Sequence, residues 1–213
     1  MKILHRFFWT IMLSGLILYC NPLKAQVFKA GISLGPTFSQ IEGDDAAGYY
    51  KFGVGGGFLL DVKTSEKTSV LMEINFVQKG SASSFVENGT AAQFRIKMDY
   101  LEVPLIFNFH DRNGMIFSAG LSPARVINFS KSNLGLEDEV FFVKNPPKNF
   151  DLGINLGITY KFANKMMFNL KWTESIVPFR TDGNSNLRNR GQYHNCVTMR
   201  IAYLLSGTWN KGE

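Results

Sequence analysis

Six charged residues, Lys29, Asp61, Glu73, Glu102, Lys171 and Arg200, fall on the polar face of segments that alternate between apolar and polar side chains. Glu73, Glu102, Lys171 and Arg200 fall at similar depths along their segments, with Lys29 and Asp61 lower. If all six point into one narrow, poorly solvated interior, opposite charges there must pair. Such a network is either a proton or ion path or a salt-bridge plug. A small interior filled by side chains favours the plug.

Three other groupings raise chemical questions. His194, Glu174 and Ser175 sit close to one end of their segments, a nucleophile and possible bases within one region, so a lipid-modifying hydrolase is conceivable. They carry no recognised catalytic motif, and the expected protein is non-enzymatic. The run "GVGGG", Gly53 to Gly57, has neither the Lys-Ser/Thr of a Walker loop nor a following helix, so the glycines are expected to make room for bulky neighbours and to let a strand bend. Arg180, Arg188 and Arg190 lie among Asn and Gly in a long connection, where they could meet lipopolysaccharide phosphates or an acidic partner, or simply be solvated. His110 has no convincing partner near it in sequence. No metal-ligand spacing appears, and no cofactor is expected.

The elements that must position these residues are strands. Eight segments obey a period of two. The first, Gln26 to Ile41, sets Phe28, Ala30, Ile32, Leu34 and Phe38 against Lys29, Gly31, Ser33, Gly35 and Thr37; the second runs from Tyr49 to Lys63 and the third from Thr68 to Gly80. The fourth, from about Phe94 to Phe109, contains "DYLEVPLIFNF", with Leu101, Val103, Leu105, Phe107 and Phe109 on one face and Tyr100, Glu102, Pro104, Ile106 and Asn108 on the other. The remaining four are Met115 to Phe129, with blurred parity after Pro123, where a bulge is expected, then Phe150 to Phe162, Met166 to Thr173, and Cys196 to Leu205. Connections after the second, fourth and sixth segments are short and the others long. That strict alternation predicts an up-and-down barrel with every long loop at one rim, and every short turn with both termini at the other.

Two barrels could show this alternation. A soluble lipocalin-like barrel would carry a polar exterior rich in Lys and Glu. Here the polar face is Gly, Ser, Thr and Asn with few charges, and the apolar face is continuous. Aromatics cluster toward its ends: Phe38, Phe52 and Trp172 toward the long-loop rim, and Phe28, Phe109, Phe117, Phe162 and Tyr203 toward the other. The reading is therefore all-β, an eight-stranded antiparallel up-and-down transmembrane β-barrel with short periplasmic turns and long extracellular loops. Leu101 to Phe109 would meet hydrocarbon while Glu102 and Pro104 face the lumen, with a local bulge expected at Pro104.

The N-terminus agrees. Lys2, His5 and Arg6 precede the apolar run Phe7 to Tyr19, and Ala25 offers a cleavage site, the pattern of a secretory signal peptide over residues 1–25 ahead of a barrel domain over 26–213. A lipidated Cys20 is disfavoured by bulky Tyr19 before it. Cys196 would then stand alone, with no internal disulfide possible. The chain's formal charge of +6 loses three positive charges with the leader, Lys2, Arg6 and Lys24, leaving too weak a bias to argue for nucleic acid.

Together the leader, "AGISLGPTFSQI", "GVGGGFLLDVK", "LMEINFVQKGS" and "DYLEVPLIFNF" resemble the PorT-like outer-membrane β-barrel family of Bacteroidetes over essentially the whole mature chain. The most specific pieces are the glutamate in a strand ending in "QKG" and the "YLEVPL" segment. The resemblance implies an integral outer-membrane barrel with periplasmic termini, in contact with outer-membrane lipid and lipopolysaccharide. More loosely, it implies an envelope scaffold or an accessory of a secretion or surface-assembly system, with other envelope proteins as partners. An adhesin or ligand-binding barrel acting through its loops is the alternative. The chain continues past Leu205 through "SGTWNKGE", so Trp209 is the candidate for a strand-closing terminal aromatic.

Overall fold

A computed structural model of the protein describes residues 28–43, 48–87, 90–133, 136–137, 146–180 and 191–207. The expected signal peptide, Cys20, Arg188, Arg190 and Trp209 lie outside the described residues. The strands are β1 (Phe28–Glu42), β2 (Lys51–Lys63), β3 (Thr68–Glu87), β4 (Thr90–Glu102), β5 (Leu105–His110), β6 (Met115–Asn133), β7 (Leu136–Glu137), β8 (Phe150–Lys161), β9 (Met166–Ser175) and β10 (Tyr193–Leu204). Halves β4 and β5 follow one another along one line between β3 and β6, and the two-residue β7 only pairs antiparallel with the end of β6, so the ten segments make eight staves.

Every pairing is antiparallel and the ring is closed. Neighbours in sequence are neighbours in space, and β1 seals against β10 from Gly31↔Leu204 to Glu42↔Tyr193. Closure leaves no edge within the ring, which is what a sheet surrounded by hydrocarbon requires. Both the start of β1 and the end of β10 lie at the rim formed by the short connections 64–67, 111–114 and 162–165.

The two faces are those the alternation demands. Outward side chains include Leu34, Phe58, Leu105, Phe107, Leu121, Leu156 and Ile201, each at least half exposed, while Thr37, Asn75, Asp61, Tyr100 and Met98 are almost wholly enclosed. Water would reject such an exterior; a bilayer accepts it. Aromatic residues mark its borders. Phe38 packs edge-on to Phe52 at 5.8 Å, and Trp172 Nε1 donates to Asn195 Oδ1 at 2.8 Å, anchoring the indole at the long-loop border as interfacial aromatics do.

Two local expectations shift. Register is unbroken through Pro104: Glu102 opposes Asn75 and Ala124, and Leu105 opposes Met72 and Leu121, three steps on every strand. Val103 N–H still donates to Pro123 O (2.9 Å) and Glu73 N–H to Pro104 O (3.1 Å), so the proline forfeits a ladder bond without bending the register. The bulge expected after Pro123 is present, at Ile127, where Asp99 opposes Asn128 but Tyr100 opposes Val126. That extra residue explains the blurred parity after Pro123. The second shift is one of length, since the segment after Gly80, expected as a long loop, is strand: β3 and β4 pair as far as Glu87↔Thr90, with β6 reaching Asn133 beside Phe94. β3 ends at Glu87 and β4 begins at Thr90.

Candidate functional site

Inside the ring, the side chains form layers. At the short-turn end His110 Nε2 and Ser69 Oγ hydrogen-bond at 2.7 Å, and Asn108 Nδ2 donates to Asp61 Oδ1 at 3.3 Å. Lys29 stands directly across from Asp61 on β1, and both are buried. Leu59, Ile116, Met167, Ala202 and Leu204 pack beside them as a small apolar cluster.

The middle of the lumen is ionic. Lys171 Nζ forms a direct, charge-assisted hydrogen bond to Glu73 Oε2, Arg200 Nη1 approaches the same oxygen at 3.7 Å, and Asn75 Nδ2 donates to it at 2.8 Å. The pairing crosses the barrel interior, from β3 to β9 and β10. Beside it Lys79 Nζ pairs with Glu102 Oε1 at 2.5 Å, lies 3.9 Å from Asp151 Oδ2, and sits over the Tyr100 ring at 4.9 Å. All these groups are nearly inaccessible. Buried charges are tolerated only when each has partners, and here each does. Between Asp61, Glu73 and Arg200 remains a cavity of about 30 Å³, room for water but not for a larger solute.

Glycines on β2 make this crowding feasible. A Cβ on Gly55 would stand 3.0 Å from Thr37 Oγ1 and 3.3 Å from Arg200 Nη2, and one on Gly57 would meet the Ile74 carbonyl at 1.9 Å and Asn75 Oδ1 at 2.6 Å. The "GVGGG" run thus clears space for the lumen's polar side chains.

Above the ions the interior becomes apolar. Ile41, Ile96, Met98, Tyr100, Ala124, Val126 and Phe179 form one buried cluster. Phe179 comes from the connection after β9, which turns into the mouth: its N–H donates to Gln192 O (3.0 Å) and its carbonyl accepts from Lys148 N–H (2.7 Å). Its ring stacks on His194 at 4.3 Å, and His194 Nε2 hydrogen-bonds Tyr100 Oη at 2.7 Å. The mouth is closed by an aromatic stack.

The lumen charges expected from sequence lie on the inner wall in two layers. Lys171 and Arg200 serve Glu73, and Glu102 takes Lys79. The reason is reach: Lys79 is on the adjacent strand and its long side chain extends back along the shared inner face. Counting depth from the short turns places Lys79 too high, so it escaped the network, as did Asp151; their inward parity on β3 and β8 was the available signal. Arg180, expected as a solvated loop-binding residue, is buried and bridged through its backbone to Gln192. The hydrolase grouping is not assembled either. Ser175 Oγ donates to Asp151 Oδ2 (2.8 Å), whereas His194 is enclosed between Phe179 and Tyr100.

A closed eight-stave ring with an apolar exterior and a filled, polar lumen defines a small membrane-spanning β-barrel. The chain belongs to the family described as outer membrane protein beta-barrel domain, whose model matches residues 24–179, and it is accordingly a protein of the bacterial outer membrane. No curated protein sequence matches it. Among solved structures it is similar to Ail, the attachment invasion locus protein of Yersinia pestis, in complex with the heparin analogue sucrose octasulfate (12% identity, 84% of this chain and 99% of that one, TM-score 0.44). It is also similar to Neisserial surface protein A (8%, 83% and 96%, 0.48) and to OprG from Pseudomonas aeruginosa (11%, 84% and 95%, 0.38).

Proposed function

We propose that this protein is a non-enzymatic scaffold of the outer membrane, a PorT-like barrel of Bacteroidetes type, serving as an accessory of a secretion or surface-assembly system. One observation carries the reading: the lumen is occupied by ion pairs and capped by Phe179, while β3, β4 and β6 run on past the ring as a continuous sheet. A plugged barrel with a projecting, rigid sheet offers surfaces rather than a passage. The quoted "LMEINFVQKGS" and "YLEVPL" segments support the family assignment, and the long-loop rim is taken to face the outside with both termini periplasmic.

Crosslinking in native membranes tests this. A photoreactive residue at Ala82, on the projecting part of β3, is expected to capture other envelope proteins, and an epitope at the C-terminus is expected to be reachable only after the outer membrane is permeabilised. Capture of extracellular ligands alone would point instead to an adhesin working through the same rim. An epitope accessible on intact cells would reverse the orientation.

A further inference from the structure

Just above the apolar belt, the outer face of β4 and β6 changes character. Leu101 is 44% exposed and faces lipid; stepping up β4 on the same face come Asp99, Lys97 and Arg95, alternating with the buried Tyr100, Met98 and Ile96. Their neighbours on that face are small or polar: Gln78, Gly80 and Ala82 on β3, and Asn128, Ser130 and Ser132 on β6. Arg125 stands lower, directly between Leu101 on β4 and Phe150 on β8, and is exposed. It forms no ion pair among the described residues. An outward guanidinium flanked by two lipid-facing apolar residues sits at the hydrocarbon boundary, where a cation needs an anion.

Charge on this stripe is unbalanced. Its one carboxylate, Asp99, is shared: Gln78 Nε2 and Asn128 Nδ2 donate to it at 3.1 and 3.2 Å, and Lys97 Nζ lies 3.7 Å away with its side chain 40% exposed. Three cations on this face, Arg125, Lys97 and Arg95, therefore accompany one carboxylate that already has two amide partners. Two-residue steps along a strand are about 7 Å, and long basic side chains bend toward the interface, so Lys97 and Arg95 reach down into a headgroup layer that Arg125 meets from below.

We propose that Arg125, Lys97 and Arg95 bind the anionic phosphorylated headgroup of a membrane lipid at the long-loop border of the barrel. Position selects this occupant: the stripe begins where the hydrocarbon ends and faces the surrounding bilayer. Guanidinium groups fit phosphate oxygens two at a time, and lysines add charge without directional demand. The inference deepens the scaffold reading by naming a lipid partner for its outer wall, and it rests on the chain's spanning the membrane.

The test uses the full-length folded protein in phosphatidylcholine vesicles doped with bisphosphorylated lipid A, released for native mass spectrometry. Wild-type barrel is expected to retain lipid A over phosphatidylcholine. Since a cation near a charged lipid surface contributes about fivefold, R125Q with K97Q should lower that preference roughly 25-fold. A charge-matched R112Q/K165Q variant, altered at the short-turn rim, should keep it. Equal retention by wild type and R125Q/K97Q would overturn the proposal, as would release of the lipid by inorganic phosphate. Both leaflets of the vesicle carry lipid A, so the result is independent of orientation in the cell. Heat-modifiable gel migration of the same samples reports insertion, and failure there would count against the membrane-spanning reading rather than against the stripe.

Discussion

Lys79 Nζ lies 2.5 Å from Glu102 Oε1 although the residue opposite Glu102 on β3 is Asn75, four positions below Lys79. The lysine reaches back along the inner wall to find its carboxylate, and the pair is almost sealed from solvent. Removing either partner strands the other. Glu102→Ala is expected to cost on the order of 3–5 kcal/mol, against about 1 or less for Glu42→Ala at the exposed end of β1. Replacing both partners, Lys79→Met with Glu102→Gln, should recover part of the loss. Thermal unfolding in detergent followed by circular dichroism checks the series, and similar melting of Glu102→Ala and Glu42→Ala would contradict the inward assignment of Glu102.

The mouth offers a second cycle. His194→Phe keeps the stack on Phe179 but leaves the Tyr100 hydroxyl with only the Met98 sulfur, 3.9 Å away, at a cost of about 1–3 kcal/mol. The double change His194→Phe with Tyr100→Phe removes both polar atoms together and should be close to wild type. Unfolding midpoints that simply add would mean the hydrogen bond contributes nothing.

Glycine positions on β2 should differ in tolerance. Gly57→Ala drives a methyl into the Ile74 carbonyl, a backbone atom that cannot swing aside, and is expected to destabilise by roughly 1–3 kcal/mol. Gly55→Ala meets the Thr37 hydroxyl and the end of the Arg200 side chain, which can yield, so its effect should be smaller. Refolding yield in detergent micelles gives the comparison; equal yields would deny that β2 is shaped by its backbone neighbours.

Filling by side chains predicts no passage. With an interior cavity of about 30 Å³, the reconstituted barrel should neither swell sugar-loaded liposomes nor give discrete conductance steps in a planar bilayer. Phe179→Ala alone should leave this unchanged, because the Glu73–Lys171 and Glu102–Lys79 pairs still block the path below it. A stable channel in wild-type protein would refute the plug.

Cys196 provides a direct readout of the inner face. It is 1% exposed on β10, opposite Ser39 and Thr173. A maleimide is expected to leave it unmodified in the folded barrel and to label it fully once the sample is boiled in denaturant. Labelling at equal rates in both states would place the thiol outside.

Alternation made the faces of the strands legible, because a half-buried strand in lipid writes its orientation into every second residue; Leu101, Glu102 and the residues around them needed no other information. Ion-pair partners were less so. Glu73, Glu102, Lys171 and Arg200 announce a buried network, but which cation meets which carboxylate depends on strand tilt and side-chain reach, and neither has a sequence period. Pro104 and Ile127 divide the backbone signals: a proline within the strand suggested a bulge that the register does not show, whereas the blurred parity after Pro123 marked the insertion that falls at Ile127. Phe179 was opaque for another reason, since a connection folding into the mouth leaves no alternating pattern.

The seam between β1 and β10 bears on how the molecule can be made. Ala30 N–H donates to Ser206 Oγ at 3.1 Å across 176 residues of chain, and the whole β1–β10 ladder joins the two ends in this way. Contacts this distant in sequence are slow to find, and until they form both end strands carry bare hydrogen-bonding edges that invite pairing with other chains. The nascent polypeptide must therefore be shielded until its last strand arrives, and closure is an all-or-none event at the end of assembly. A chain cut short before Tyr193 would be expected to aggregate instead of forming a smaller ring.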